Sequence, residues 1–293
     1  MKMTQRANYL RPLPPEVLRA LQSFLEEDIR SGDLTTQALG PLDMRATGTV
    51  FARSRSIVAG IAEVVAIAEM RGLSHETLAF EGNWVEPGDA VLRLHGAAGT
   101  LLTVERVILN IMMRMSGIAT KTYRLVERVR EIAPHVRVAA TRKTTPGFRF
   151  FEKSAVVIGG GDPHRYALDD MVLIKNNHIT AVGGIGLAVR TAREYVSFSK
   201  KVSCEVRGLE EAIEAVEAGA DIVLLDNLPP REIERIVETL RDRGLREKVV
   251  LEASGGITEE NVEEYAAAGV DVISVGSLTH SYVSADFNMR LSF

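Results

Sequence analysis

The sequence is poor in cysteine and in aromatics, with one Cys, one Trp, and Phe, Trp and Tyr together at 5% of 293 residues. Cys204, standing alone, excludes an intrachain disulfide and any metal site built from cysteines, and it suits a reducing compartment. Neither sign of charge dominates: 35 Lys and Arg against 39 Asp and Glu leave a formal net charge of -4. That balance argues against a nucleic-acid or membrane-surface binder, so a local basic cluster is expected to serve a small anionic ligand. No apolar run approaches the ~18 residues of a membrane span. The opening stretch MKMTQRANYLRPLPPEV lacks the apolar core of a signal peptide, so the expected setting is the cytoplasm. HExxH, Walker, nucleophile-elbow and GxGxxG-before-helix motifs are also missing, which removes the chemistries they carry.

With 46% hydrophobic residues the chain can bury a real core. Before about residue 105 the pattern is mixed α+β: a helical stretch over residues 15–27, then strand-like runs such as ATGTVFA and AVLRLHG. EGNWVEPGDAVLRL reads as a hairpin turning at EPGD, with Trp84 as a packing anchor. TVERVILNIMMRMSG reads as a helix from a Thr103 cap to a stop at Gly117, with a domain boundary around it. From residue 136 the rhythm changes to short apolar runs alternating with amphipathic helices: VRVAAT, DMVLIK, VSCEVR, DIVLLD, VVLEAS and DVISVG. AGADIVLLD and AGVDVISVG even match as a repeat of helix, glycine and strand. The expected fold is α/β with a parallel barrel; a doubly wound open sheet would give the same local pattern.

Barrel sites form at the carboxyl ends of the strands. Here those ends carry Arg142 and Lys143, Lys175, Glu205, Asp226, Ser254 and Gly276: cations, then acids, then glycines. Any single charged strand end is readily explained by solvent; a succession of them is not. Alternation along VSCEV sets Glu205 and Cys204 on opposite faces, and Glu205 is assigned to the lumen because an unpaired carboxylate against outer helices is costly. The glycine-bearing ASGGIT, with TEEN expected to start a helix, and SVGSLTHS suit the close approach of a phosphate to backbone N–H groups. Arg142, His164 and Arg165 offer planar donors matched to carboxylates, whereas Lys143 and Lys175 are point charges suited to phosphate or pyrophosphate. The bland alternative is a solvated basic face balanced by Glu152, Asp162, Asp169 and Asp170. Glu205 and Asp226 would serve equally to hold a divalent ion, bind ribose hydroxyls or stabilise a cationic transition state.

These stretches, together with EDIRSGDLTT, FARSRSIVAG, ERVILNIMMRMSGIAT, TRKTTPGFRFFEKSAV, GGGDPHRYALDDMVLIKNNHI and GVDVISVGSLTHS, resemble nicotinate-nucleotide pyrophosphorylase (carboxylating), the quinolinate phosphoribosyltransferase family, over nearly the whole chain. The resemblance implies an N-terminal α/β sandwich-like domain, residues 1–113, to which a tail, residues 281–293, returns, and an incomplete α/β (TIM-like) barrel over residues 114–280. It implies a homodimer, with a hexamer as the larger assembly, and a reaction of quinolinate with 5-phosphoribosyl-1-pyrophosphate (PRPP) and Mg2+ in NAD biosynthesis. By the same resemblance, Arg142, His164 and Arg165 clamp the two carboxylates with Lys175 nearby, and Arg106 reaches the neighbouring subunit's site. Lys143 meets pyrophosphate, and Glu205 and Asp226 face ribose and its magnesium. Ser254, Gly255, Gly256, Gly276 and Ser277 cradle the 5′-phosphate, with His280 close behind.

The sequence departs from the family's habit at Arg30, often glycine, and at Ser203 and Arg207, often acidic. Competing readings are a ModD-type or nicotinate-using paralogue, a non-catalytic sensor of a phosphorylated metabolite, and an unrelated phosphate-binding barrel lyase or isomerase. Two arginines and a histidine favour a dicarboxylate, because one carboxylate would leave buried cations unpaired. A sensor would need no metal-side acids, and a lyase does not explain the ordered cationic stretches.

Overall fold

The structure, a computed structural model, describes residues 12–293; residues 1–11, most of the stretch read for a leader, lie outside the described residues. The described chain forms two compact units. One holds the chain up to Tyr123 with Thr144–Gly160 and Ser281–Phe293, and the other holds Arg124–Lys143 and Gly161–His280. This division is more interleaved than the single cut after residue 113 with a returning tail.

In the first unit, α1 (Pro15–Ile29) starts on a proline, whose missing N–H costs nothing at a helix start, and buries Val17, Leu21 and Leu25 along one face. It ends at Arg30, whose φ of 49° lies in the left-handed region. Glycine adopts that backbone without strain, a conformational reason for the family's habit at this position. Asp33 caps α2 (Leu34–Ala38) by accepting the Thr35 and Thr36 N–H groups. There follow β1 (Arg45–Ala52), β2 (Ser56–Ile57), α3 (Ile61–Met70), β3 (Ser74–Thr77), β4 (Trp84–Val85) and β5 (Ala90–Ala97). An antiparallel sheet runs in the order final strand (Phe287–Ser292), β1, β5, β3.

Two expectations are corrected here. The hairpin does not form: β4 pairs with β2, while both edges of β5 are occupied by β1 and β3. The turn itself is present, since Asp89 N–H donates to the Glu86 carbonyl at 3.0 Å and Gly88 takes a φ of 100°. It passes the chain from one sheet to the other. Trp84 packs edge-on against Tyr123, at 5.4 Å between ring centroids.

The second correction concerns the long helix, α4 (Ala98–Ile132), which neither starts at Thr103 nor stops at Gly117. The Thr103 hydroxyl donates to the Gly99 carbonyl inside the helix, and so does not cap it. Gly117 is there for space: a Cβ would lie 2.3 Å from the Val283 carbonyl oxygen. Glycine lets the tail backbone approach, and the helix absorbs the modest propensity cost.

The second unit is built on a wholly parallel sheet: β6 (Arg137–Ala139), β7 (Val172–Ile174), β8 (Val202–Val206), β9 (Ile222–Asp226), β10 (Val250–Ser254) and β11 (Val272–Ser274). Its order is β6-β11-β10-β9-β8-β7. Read around a circle, consecutive strands are neighbours everywhere except between β6 and β7. The sheet is therefore an incomplete α/β barrel, open where the chain between those two strands must cross. Helices such as Pro230–Asp242, which buries Ile233, Ile236, Val237 and Leu240, supply the outer apolar stripes.

Candidate active site

Register decides what faces the lumen. Asp226, Ser254, Ser274 and Ala139 occupy one row across β9, β10, β11 and β6; Glu205, Leu224, Glu252 and Val272 occupy the row beneath. Residues paired in a ladder share a face, so each row points the same way. Asp226, Ser254 and Ser274 of the first row and Glu205, Leu224 and Glu252 of the second line a cavity of about 610 Å³ at the carboxyl ends of the strands. A volume of this size holds a small-molecule ligand.

Arg142, Lys143, His164, Arg165, Lys175, Glu205, Asp226, Ser254, Gly255, Gly256, Gly276 and Ser277 all line this cavity, as does His280. The four cations and His164 come from the chain between β6 and β7 and from the end of β7, the acids from β8 and β9, and the glycine turns from the last two strand ends. Arg106 is exposed on α4 and does not line the cavity. Arg149 does not line it either; its Nε donates to the Thr144 hydroxyl at 2.9 Å.

The cationic side brings two guanidiniums close together. Burial, and then the adjacent Arg142 guanidinium, lower the pKa of Arg165, opposed by Asp170 and Glu252. An anion placed between the two guanidiniums relieves the repulsion that lowers the Arg165 pKa. Arg165 is anchored through Nη1, which donates to the Met171 carbonyl at 3.1 Å. On the acidic side, the Asn176 side-chain amide donates to Glu205 Oε1 at 2.8 Å. Cys204, buried on the opposite face of β8, is no nucleophile: burial, with Glu211, Glu205 and Glu214 nearby, pushes its thiol up to about 12.

The glycine turns have geometric reasons. Gly255 and Gly256 take φ values of 92° and 65°, and a Cβ on Gly255 would sit 2.3 Å from Asn227 Oδ1. At Gly276 a Cβ would meet the Lys143 side chain at 3.0 Å and the His280 ring at 3.2 Å. Thr258–Asn261 is a turn that leads directly into the helix starting at Val262: Asn261 is its N-cap, the Thr258 carbonyl accepts the Val262 N–H at 3.1 Å, and the Thr258 N–H donates to Asn261 Oδ1. Backbone N–H groups of the turns are available for a phosphate contact on this side, beside the Ser254 and Ser277 hydroxyls.

His164 lines the cavity and is also held by contacts within the chain. Its Nδ1 accepts the Arg165 N–H at 2.8 Å, and its Nε2 faces Glu252 Oε2 at 3.2 Å, so both ring nitrogens are engaged within the chain. Glu252, 2% exposed yet lining the cavity, was missed in the sequence. The signal was there: in VLEAS it stands two residues before Ser254 and so shares its face. Asn227, at a left-handed φ of 55°, was missed as well.

A barrel that converges four cations, three carboxylates and glycine turns on one cavity suits phosphorylated, polyanionic ligands. The chain matches the N-terminal domain of quinolinate phosphoribosyl transferase over residues 33–116 and the C-terminal domain over residues 118–290. It belongs to the quinolinate phosphoribosyl transferase family. It is 45% identical over 271 residues to a probable nicotinate-nucleotide pyrophosphorylase (carboxylating) of Methanothermobacter thermautotrophicus, spanning 92% of this chain and 97% of that one. The nicotinate-nucleotide pyrophosphorylase (carboxylating) of Homo sapiens is 39% identical over 280 residues, covering 95% of this chain and 93% of its own. Among solved structures, the nicotinate-nucleotide pyrophosphorylase from Francisella tularensis superposes with a TM-score of 0.88 at 35% identity, covering 97% and 99% of the two chains.

Proposed function

We propose that this chain is a quinolinate phosphoribosyltransferase, converting quinolinate and PRPP to nicotinate mononucleotide, pyrophosphate and carbon dioxide in NAD biosynthesis. The observation that carries the reading is the convergence on one cavity of guanidiniums and lysines, of Glu205 and Asp226, and of the glycine turns at the last strands. A pyridine dicarboxylate answers the Arg142 and Arg165 pair with Lys175, and the pyrophosphate of PRPP answers Lys143. Ser254, Gly255, Gly256, Gly276 and Ser277 receive the 5′-phosphate.

With the ligands so held, the pyridine nitrogen forms its bond to the anomeric carbon as the bond to pyrophosphate breaks. The pyrophosphate leaves with the electron pair. Glu205 and Asp226 face the positive charge that develops on the ribose. Loss of the adjacent carboxylate as carbon dioxide then leaves its bonding electron pair on the ring carbon, where the positive charge of the neighbouring alkylated nitrogen stabilises it until that carbon takes a proton. The chain contributes mainly orientation and fixed charge.

Magnesium belongs to the same proposal. Among the described residues no group of three or more His, Cys, Asp or Glu side chains is arranged to hold a metal. Glu205 and Asp226 fit magnesium as the one or two carboxylates that complete a shell otherwise made of substrate oxygens. Bound there with PRPP, the ion would offset charge on the leaving pyrophosphate. Arg106 is assigned to the neighbouring active site of a homodimer, on the strength of its exposure and the family resemblance. No helix among the described residues is long and apolar enough to cross a membrane, and cytoplasmic residence is part of the proposal.

The test is mass-spectrometric detection of product from purified protein with PRPP and magnesium, offered quinolinate or nicotinate in parallel. Nicotinate mononucleotide from quinolinate alone is expected. Product from nicotinate alone would move the chain to a sibling activity, and product from neither would overturn the catalytic reading.

A further inference from the structure

We propose that Glu252 is a positioning residue for the dicarboxylate side of the cavity: it holds the His164 ring and, through it, the turn that presents Arg165. The proposal rests on the functional reading above. Glu252 lies on β10 between Leu224 of β9 and Val272 of β11, with its side chain inside the barrel and 2% of the residue exposed. A carboxylate so placed is costly unless a partner repays its lost hydration. The partner is His164, at 3.2 Å from Nε2 to Oε2.

The tautomer follows from the hydrogen bonds. The Arg165 N–H donates to Nδ1, so Nδ1 carries a lone pair and the ring proton sits on Nε2, where it points at Glu252. His164 itself has a left-handed φ of 53°, which few non-glycine residues adopt. Such backbones persist where the surroundings over-determine them. Three attachments do so here: the His164 N–H donates to Asp162 Oδ1 at 2.8 Å, the ring accepts from Arg165, and Nε2–H donates to Glu252.

Arg165 inherits this placement. Its backbone N–H is tied to the His164 ring and its Nη1 to the Met171 carbonyl, so two points fix where its remaining donors face. Without the carboxylate, the ring loses one of its two attachments, and the Arg165 N–H is left with a less firmly held acceptor. Glu252 also supplies negative charge beside the crowded Arg142 and Arg165 pair, where it opposes the lowering of the Arg165 pKa. The residue therefore acts on quinolinate through its neighbours.

The experiment uses the full chain with Glu252→Ala and Glu252→Gln, read by nitrogen-15 histidine spectra and by separate KM values for quinolinate and PRPP. In the wild type, His164 is expected to show a protonated Nε2 and an accepting Nδ1. Glu252→Ala is expected to lose that tautomer preference and to raise the quinolinate KM about tenfold, with the PRPP KM within about twofold. Glu252→Gln keeps an acceptor oxygen and should recover most of the quinolinate KM. If Glu252→Ala does not fold, His164→Ala breaks the link from the other side and must itself raise the quinolinate KM selectively. An unchanged tautomer in Glu252→Ala, an equal rise in both KM values, or a glutamine variant as poor as the alanine variant overturns the proposal. Wild-type protein that makes no product from quinolinate would instead sink the functional reading, and the tautomer comparison would still decide whether Glu252 holds the ring.

Discussion

The Thr279 hydroxyl donates to the Lys143 carbonyl at 2.8 Å, joining residues 136 positions apart. Thr279 is buried, and its bond fixes the backbone of a lysine whose side chain lies against Gly276. Thr279→Val keeps the shape and removes the donor, leaving a carbonyl to seek another partner at a cost of about 1–3 kcal/mol. We expect kcat to fall about tenfold with the quinolinate KM little changed. Steady-state kinetics beside a thermal melt checks this, because a melt shifted without a kinetic effect would confine Thr279 to stability.

Arg142→Ala separates the two substrates. Removing one guanidinium from the carboxylate side should weaken quinolinate use by about 100-fold, on the scale of a lost charge-assisted bond pair. Titration with PRPP should change far less. Equal loss of both would reject the assignment of Arg142 to the dicarboxylate.

Gly255→Ala challenges the phosphate turn in two ways, through a φ of 92° and through a Cβ 2.3 Å from Asn227 Oδ1. The backbone strain alone costs roughly 1–2 kcal/mol. The turn must shift, and we expect the PRPP KM to rise about tenfold while quinolinate binding, measured alone, holds. A PRPP KM equal to that of the wild type would remove Gly255 from the phosphate site.

In the first unit, Glu152 is fully buried and ion-paired with Arg114, and it also accepts the Thr145 N–H at 3.1 Å. Breaking a buried pair strands the other charge and costs about 3–5 kcal/mol. Glu152→Ala should lower the denaturation midpoint accordingly, whereas Glu127→Ala, from an exposed pair with Arg130, should move it by under about 1 kcal/mol. Similar shifts in the two variants would contradict the burial argument.

Cys204 gives a pH dependence. Its thiol is raised from 9.0 to about 12 in the folded chain, first by burial. Unfolded chains release this proton more readily, so its contribution to stability is complete below pH 9.0 and is lost as pH rises from there towards about 12. Denaturation of wild type and Cys204→Ala across that range should show the wild type losing more stability, the difference isolating this thiol. Parallel curves would refute the shift.

The barrel and most of its site were legible because buried parallel strands read as apolar runs and end on residues that must be polar for another reason. Lys175, Glu205 and Asp226 stand out at once in such runs. Glu252 did not, because it lies inside its run, and only alternation with Ser254 reveals its face. The role of His164 required three-dimensional partners: nothing in GDPHRY tells that its ring nitrogens are satisfied by Arg165 and Glu252. Gly117 misled for a similar reason. Its lack of a side chain serves residues 283 and 284, which local sequence cannot announce, so a glycine that reads as a stop is carried through a continuous helix.

The pairing of the final strand with β1 has a consequence in time. Ribosomes deliver β1 early and its partner last, with the whole incomplete barrel between them. Until Phe287–Ser292 emerges, that side of β1 presents unpaired N–H and C=O groups, a template for foreign strands. The first unit is thus started before the second and completed after it, with one sheet edge left open in the interval.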